Sequence, residues 1–213
     1  MAQNRMSTPT PASQSHRRGH AWTAVKGTAA GLLLGLCAAG LFIYSGTSSG
    51  ETHAHWWGNP NIGSPGSDIW TRARIALGGL LALRRDETVY FDRTEDDEGR
   101  RLEARCSYRL SGTALPARWW SVTIYTDIGF LPRNGGGPHS VDATRVGGGK
   151  QPWHTIVSGD ASDATGGAPW INSRESGRFH LTLRLYHPQP DAAADFSTLP
   201  YPRVTRIGCG DGS

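Results

Sequence analysis

The uncharged stretch between Gly27 and Gly50 constrains this chain more than any other feature of its sequence. Its middle is rich in leucine, and about 20 residues of helix span the roughly 30 Å hydrocarbon core of a bilayer. Four basic residues and no acidic residue precede it, and Glu51 is the first charged residue after it. By the positive-inside rule, this asymmetry predicts an N-terminus that stays in the cytoplasm and an exported C-terminal part.

The same segment divides the chain into four predicted regions. They are a basic cytoplasmic tail at 1–26, a transmembrane anchor at 27–46, a Gly-, Pro- and Ser-rich linker at 47–67 and an exported domain at 68–213. A cleaved signal peptide stays open as an alternative, because Thr52-His53-Ala54 loosely fits the small-x-small cleavage pattern. Lipidation at Cys37 is a further alternative, although Leu36 is not the small residue that a lipoprotein signal carries there. Export is common to all three interpretations.

Three glycines spaced four residues apart lie in the apolar segment, at Gly27, Gly31 and Gly35. A G-x-x-x-G ladder lets two membrane helices approach closely, so it predicts a homodimer through this helix face. The alternative is that small residues are simply common in export segments. Dimerisation is therefore an expectation that rests on spacing alone.

The net charge of +4 does not indicate a nucleic-acid partner. The excess lies entirely in residues 1–26, and the other 187 residues carry 18 basic and 18 acidic side chains. A neutral body lacks the basic surface that binds a polyanion. The expected partners are therefore the membrane and envelope molecules, with no nucleic acid among them.

The hydrophobic period indicates the fold class of the exported part. A short helix is predicted from the N-cap Asp68, with four arginines mostly off its apolar stripe and interpreted as a solvated face. After Leu83 the period changes from 3.6 to 2, which is typical of half-buried antiparallel strands. The predicted strands are 89–91, 101–110, 118–125, 153–158, 179–186 and 203–207. One short helix followed by six to eight strands predicts a mainly β domain, an antiparallel sandwich or jelly roll.

Two cysteines of the exported part, Cys106 and Cys209, are predicted to form a disulfide. Oxidising compartments favour such bonds, and this one would attach the C-terminal tail to a core strand. The alternative is a pair of free thiols, with Cys106 packed on the apolar face of its strand.

The second predicted long strand contains adjacent tryptophans, which must point to opposite faces. Trp120 belongs with the apolar side, and Trp119 shares the other side with Tyr125. An exposed Trp and Tyr on one sheet face could stack on a sugar or a protein, and Arg118 and Arg184 are further candidate binding residues. The alternatives are a helix or loop from 68–83 that covers this face, and cross-strand salt bridges for the two arginines.

The sequence assigns no catalytic residue, no metal site and no cofactor. It contains neither a G-x-S-x-G elbow nor a P-loop. The acidic run 95–98 does not fit a calcium loop and is interpreted as a charged hairpin. Asp92 and Asp127 are candidates for a glycosidase-like pair, but sequence does not give the distance between them. The preferred hypothesis is a non-catalytic binding or interaction module, and the alternative is a hydrolase of carbohydrate or another envelope substrate on the same fold.

Several segments together resemble an export-associated bacterial family, domain-of-unknown-function family 1214, from about Asp68 to Cys209. They are Tyr90-Phe91 with the acidic turn after it, Cys106-Ser-Tyr108, and the segments 117–125, 178–186 and 202–209. The resemblance implies a jelly-roll-like β domain in the bacterial cell envelope. It also implies a partner from family 1254, whose domains often accompany this one. With the anchor, this predicts a single-pass inner-membrane protein with a periplasmic C-terminal domain.

Overall fold

The computed structural model describes residues 14–45, 50–77, 82–149 and 151–210. The chain divides into two compact units, Met1–Thr47 and Ser48–Ser213. Helix α1, Gln14–Ser45, belongs to the first unit and begins N-terminal to the anchor predicted at 27–46. Its segment Trp22–Phe42 has a mean hydropathy of 1.6 and is long and apolar enough to cross a membrane, as an anchor or as a signal sequence.

The described part of the second unit consists of ten strands, two short helices and three 3-10 turns. The strands are β1 (Glu51–His53), β2 (Trp56–Gly58), β3 (Thr88–Arg93), β4 (Cys106–Gly112), β5 (Ala117–Thr126), β6 (Ser140–Asp142), β7 (Trp153–Ser158), β8 (Trp170–Asn172), β9 (Phe179–Pro188) and β10 (Arg203–Cys209). Helix α2 spans Ile69–Leu77, and helix α3 spans Pro190–Ala194. The domain is therefore mainly β, as the sequence predicts.

The strands form two sheets. The six-stranded sheet has the order β1-β2-β3-β9-β5-β6 and is antiparallel throughout. The four-stranded sheet has the order β10-β4-β7-β8, and its β7–β8 pair is parallel. One hydrophobic core contains side chains from both sheets, so they form a sandwich. Its largest fully buried apolar members are Trp56, Trp120, Tyr108, Phe91, Leu102, Leu110, Ile124, Ile171, Leu181, Leu183 and Leu185.

The structure corrects the linker predicted at 47–67, because β1 and β2 lie within it and extend the six-stranded sheet. Trp56 on β2 is fully buried, and its indole Nε1 donates a hydrogen bond of 2.8 Å to the carbonyl of Pro202. Position 50 requires glycine, because a Cβ there would lie 2.3 Å from the indole of Trp57. Strands of three residues leave no detectable period, so composition alone suggested a linker.

The strand predicted at 101–110 begins later than its alternating pattern suggests. Cys106 donates its amide to the carbonyl of Glu103, which makes a turn before β4. Leu102 is nevertheless fully buried. It belongs to the β3–β4 connection, and its side chain packs in the core from there. The amide of Phe179 donates to the Leu102 carbonyl, which holds this connection against the start of β9.

The predicted disulfide is confirmed: Cys106 and Cys209 are bonded. They are direct register partners on β4 and β10, at the end of the chain that the structure describes. The bond closes a loop with a sequence separation of 103 residues. It therefore holds β10 at the edge of the four-stranded sheet.

A cluster of ion pairs, here called the ion cluster, joins the β3–β4 connection to β10. It consists of Arg93, Asp96, Asp97 and Arg206. Arg93 is 1% exposed, and its Nη2 donates to Asp97 Oδ1 at 2.7 Å. The Nε of Arg206 lies 2.9 Å from Asp96 Oδ2. The acidic run interpreted as a charged hairpin does form an antiparallel turn, in which Glu95 pairs with Arg101. Through the buried Asp96 and through Asp97 it also connects distant parts of the chain.

The carboxylates of the ion cluster are held in their charged form. Burial alone would raise the pKa of both Asp96 and Asp97. Hydrogen bonds outweigh it, from the Arg100 amide and side chain to Asp96, and from the Val204 amide and Arg93 to Asp97. The net result is a pKa below the ordinary value of 3.8 for each carboxyl.

Candidate functional site

The side of the six-stranded sheet that points away from the core carries a group of aromatic residues around one arginine. We call it the aromatic face and define it by Tyr90, Trp119, Tyr125, Arg184 and Tyr186. These residues alternate along β3, β5 and β9 with buried residues such as Phe91, Trp120, Ile124 and Leu185. The register brings them together, because Trp119 pairs with Tyr186 and Tyr90 pairs with Arg184.

Arg184 lies at the centre of the aromatic face on β9. Its Nη2 donates to the hydroxyl of Tyr125 at 2.8 Å, and its Nη1 donates to Thr123 Oγ1 at 3.3 Å. The guanidinium carbon lies 5.4 Å from the ring centre of Tyr125 and 5.9 Å from that of Tyr90. Within the described part of the chain, no carboxylate lies at ion-pair distance from it. Its charge is therefore positioned by rings and hydroxyls and stays available to a ligand.

Trp119 and Tyr186 form the apolar end of the aromatic face. Their ring centres are 5.1 Å apart and the planes are tilted by 55°. Trp119 remains 36% exposed, and its Nε1 donates to Thr144 Oγ1 at 3.1 Å, which fixes the orientation of the ring. A fixed indole with an open side is a surface on which a planar or apolar group can stack.

Polar groups border the aromatic face. Thr182 donates its hydroxyl to Asp92 Oδ1 at 2.6 Å, and the ring of His180 stacks on Tyr125 at 5.6 Å. The segment after α2 reaches one edge, where the amide of Leu83 donates to the Tyr90 hydroxyl at 3.1 Å. This segment contacts the edge and leaves Trp119 accessible, so the predicted cover from 68–83 is partial.

Three of the four candidate binding residues, Trp119, Tyr125 and Arg184, therefore lie on one face. Arg118 does not join them: it is exposed and precedes Trp119 in the strand, so it belongs to the opposite side of the sheet. Tyr90 and Tyr186 were not among the predicted site residues. Alternation already places Tyr186 on the same side of β9 as Arg184, but the pairing of β9 with β3 and β5 is needed to bring in Tyr90 and Trp119.

A second polar group lies in a cleft of 520 Å³ beside the disulfide. Ser107 and Ser158 both donate their hydroxyls to Asp163 Oδ2, at 2.6 Å and 2.5 Å. The described lining of the cleft contains no histidine or lysine that could act as the base for a serine nucleophile. Ser158 is also 2% exposed and accepts from the amide of Asp160, so the group stabilises the turn after β7.

Metal binding finds no support among the described residues. No group of three or more His, Cys, Asp or Glu side chains there could hold a metal ion. Asp92 accepts a hydrogen bond from Thr182, and Asp127 is exposed in the turn after β5. Among the described residues, those of the aromatic face are therefore the candidates for binding a ligand or a partner.

Residues 87–190, which include the whole aromatic face, match the profile of the family described as "Protein of unknown function (DUF1214)". Residues 87–190 therefore belong to the DUF1214 family. No curated protein matches the sequence significantly. The resemblance found from the sequence is confirmed.

Two solved structures are similar to this DUF1214 domain. The VPA0106 protein from Vibrio parahaemolyticus is 19% identical with a TM-score of 0.52, over 67% of this chain and 36% of that protein. An uncharacterized protein from Burkholderia cenocepacia is 14% identical with a TM-score of 0.39, over 57% of this chain and 30% of that protein. The first likeness supports the fold, and this chain spans about a third of that longer protein.

Proposed function

We propose that this protein is a membrane-anchored envelope protein whose exported DUF1214 domain is a non-catalytic binding module. The apolar segment Trp22–Phe42 supports the anchor, and the basic residues before it support a cytoplasmic N-terminus. The confirmed disulfide fits a domain that folds in an oxidising compartment. In a bacterium this arrangement corresponds to a single pass through the inner membrane and a periplasmic domain.

The single observation that carries the binding role is the accessible arginine of the aromatic face. A surface arginine with a carboxylate neighbour commonly stabilises the fold, whereas Arg184 is held between Tyr90 and Tyr125 beside the exposed Trp119. Aromatic residues and arginine are the residue types that dominate the binding energy of protein interfaces. The aromatic face therefore supports binding of a protein better than it supports a reaction.

In the VPA0106 protein the similar part covers 36% of the chain, so there this fold is combined with further polypeptide. The family resemblance makes an envelope protein of family 1254 the partner to test.

The test is a direct binding measurement between the full chain, in nanodiscs, and a family 1254 protein of the same organism. We expect Trp119→Ala and Arg184→Met each to weaken binding at least about tenfold, because both remove interface anchors. Phe130→Ala is the matched control, since Phe130 is an exposed aromatic residue outside the aromatic face. Equal binding by all three variants would reject the aromatic face as the interface.

The alternative hydrolase is tested in the same preparation. The chain is incubated with periplasmic glycan fragments, and the products are analysed by mass spectrometry. New reducing ends that depend on Asp92 would replace the binding role with an enzymatic one. Topology is tested separately by fusing alkaline phosphatase after the C-terminal residue, where activity in whole cells is expected only if that end is exported.

A further inference from the structure

Helix α2 presents the large apolar side chains of Ile69 and Leu77 to solvent, while Thr71 and the half-buried Ile75 lie on its inner side. Ile69 and Leu77 are 73% and 74% exposed, and with Ala73 they lie at i, i+4 and i+8 on one stripe. On the other side, Thr71 is 3% exposed and donates its hydroxyl to Asp68 Oδ2 at 2.7 Å. A helix that covered a hydrophobic core would have the reverse arrangement.

This orientation of α2 is fixed by hydrogen bonds at its N-terminus. Asp68 Oδ1 accepts from the amides of Trp70 and Thr71, at 2.8 Å and 2.9 Å, which caps the helix. These bonds lower the pKa of the Asp68 carboxyl. Arg72 donates from Nε and Nη2 to the carbonyls of Ser67 and Pro65, both at 3.1 Å. The exposed stripe is therefore held outward by the preceding turn.

The charge of the segment points to the surface that covers the stripe. Residues 69–85 contain four arginines and no acidic residue, in a body whose total formal charge is zero, and one of the four, Arg84, pairs with Asp86 just beyond the segment. Trp70 and Leu83, which are 38% and 46% exposed, continue the apolar surface at either end. Tryptophan, aliphatic residues and arginine together are the composition of helices that lie in the interface of an anionic membrane.

We infer that α2 lies on an anionic phospholipid surface, with Ile69, Ala73 and Leu77 among the acyl chains. The inference rests on the membrane anchor of the proposed function. Residues 46–49 are all that separate α1 from Gly50, and five peptide steps span at most about 18 Å. An anchored chain therefore keeps Gly50 within this reach of the end of α1, so a weak helix–lipid contact forms at high effective concentration.

The experiment uses the full chain in nanodiscs that contain phosphatidylglycerol. A spin label is placed at Ala76→Cys, on the exposed side of α2, in a Cys37→Ser background that leaves the Cys106–Cys209 disulfide intact. The matched control is a label at Ile128→Cys, because Ile128 is 75% exposed in the turn after β5. Collision rates with oxygen and with a water-soluble nickel chelate then report the depth of each label.

At position 76 we expect the ratio of oxygen to nickel collisions to exceed that at position 128 by about threefold or more. Ile69→Asp should abolish this difference, and pure phosphatidylcholine should reduce it. Equal ratios at both positions, in a chain that stays in the disc, overturn the inference and leave the anchor intact. Spin–spin broadening between two copies also overturns it, because a second chain would then cover α2. A chain that does not insert into the discs overturns both the proposed membrane anchor and the inference about α2.

Discussion

Arg93 and Arg184 lie on the paired strands β3 and β9, but their guanidinium groups have opposite surroundings. Arg93 points into the domain and is surrounded by a carboxylate and by the carbonyls of Ala54, Glu95 and Pro202. Arg184 points outward, between two tyrosine rings and two hydroxyls. The first guanidinium has its hydrogen bonds satisfied by the fold, whereas the second keeps an accessible charge.

This difference shows how a structural arginine can be distinguished from one that is available for binding. Burial lowers the pKa of Arg93, and the ion pair with Asp97 offsets this only in part, so the buried charge depends on its partners in the fold. The rings around Arg184 orient it without neutralising it. Three measurements test this contrast.

The disulfide next to the ion cluster gives the largest expected effect. Cys106→Ala together with Cys209→Ala should lower the free energy of unfolding by about 4 to 5 kcal/mol, because the bond closes a loop of about 100 residues in the unfolded chain. Urea denaturation in detergent, followed by tryptophan fluorescence, measures it. Binding through the aromatic face should survive in the folded fraction, and equal stability of the double variant would mean that the β4–β10 pairing and the ion pairs hold β10 without the bond.

The same substitution at the two arginines tests the comparison directly. Arg93→Met should cost about 3 kcal/mol or more, because it leaves Asp97 and several buried carbonyls without their donor. Arg184→Met should cost about 1 kcal/mol or less, because it removes cation–π contacts at a partly exposed site. If the two variants unfold at the same urea concentration, Arg184 is a structural residue.

Acid should weaken the ion cluster before it affects the aromatic face. The folded-state pKa of Asp96 and Asp97 lies below 3.8, so their contribution to stability is complete above about pH 4 and is lost as the pH falls through the folded value. We expect the free energy of unfolding to fall by on the order of 1 kcal/mol toward pH 2 and Asp96→Asn to reduce that slope. Asp160→Asn is the control, since Asp160 also has a lowered pKa but caps an exposed turn; equal slopes in both variants would contradict this assignment.

Alternating patterns were enough to predict the long strands and the faces of β5. Trp120 is buried and Trp119 is exposed, as their positions in the period require. β1 and β2 were not predicted because three-residue strands show no period. Their adjacent tryptophans nevertheless differ in burial as those of β5 do, since Trp56 is buried and Trp57 is less so.

The contacts between the ion cluster and β10 could not be predicted, because they join residues more than 100 positions apart. Asp97 and Arg203 are neighbours only because β10 returns to β4. The aromatic face was partly predictable for a related reason. Periodicity identifies which side of a strand a residue occupies, but only strand order places Tyr90 beside Arg184.

The position of β10 has a consequence for synthesis. A growing chain presents β4 about 100 residues before its edge partner emerges, so the smaller sheet has an open edge until β10 has been made. Truncation before β10 removes the disulfide together with Arg203 and Arg206, the ion-pair partners of Asp97 and Asp96. A nascent domain of this design becomes native only when β10 is in place, and a truncated product carries an unpaired edge that quality-control proteases can recognise.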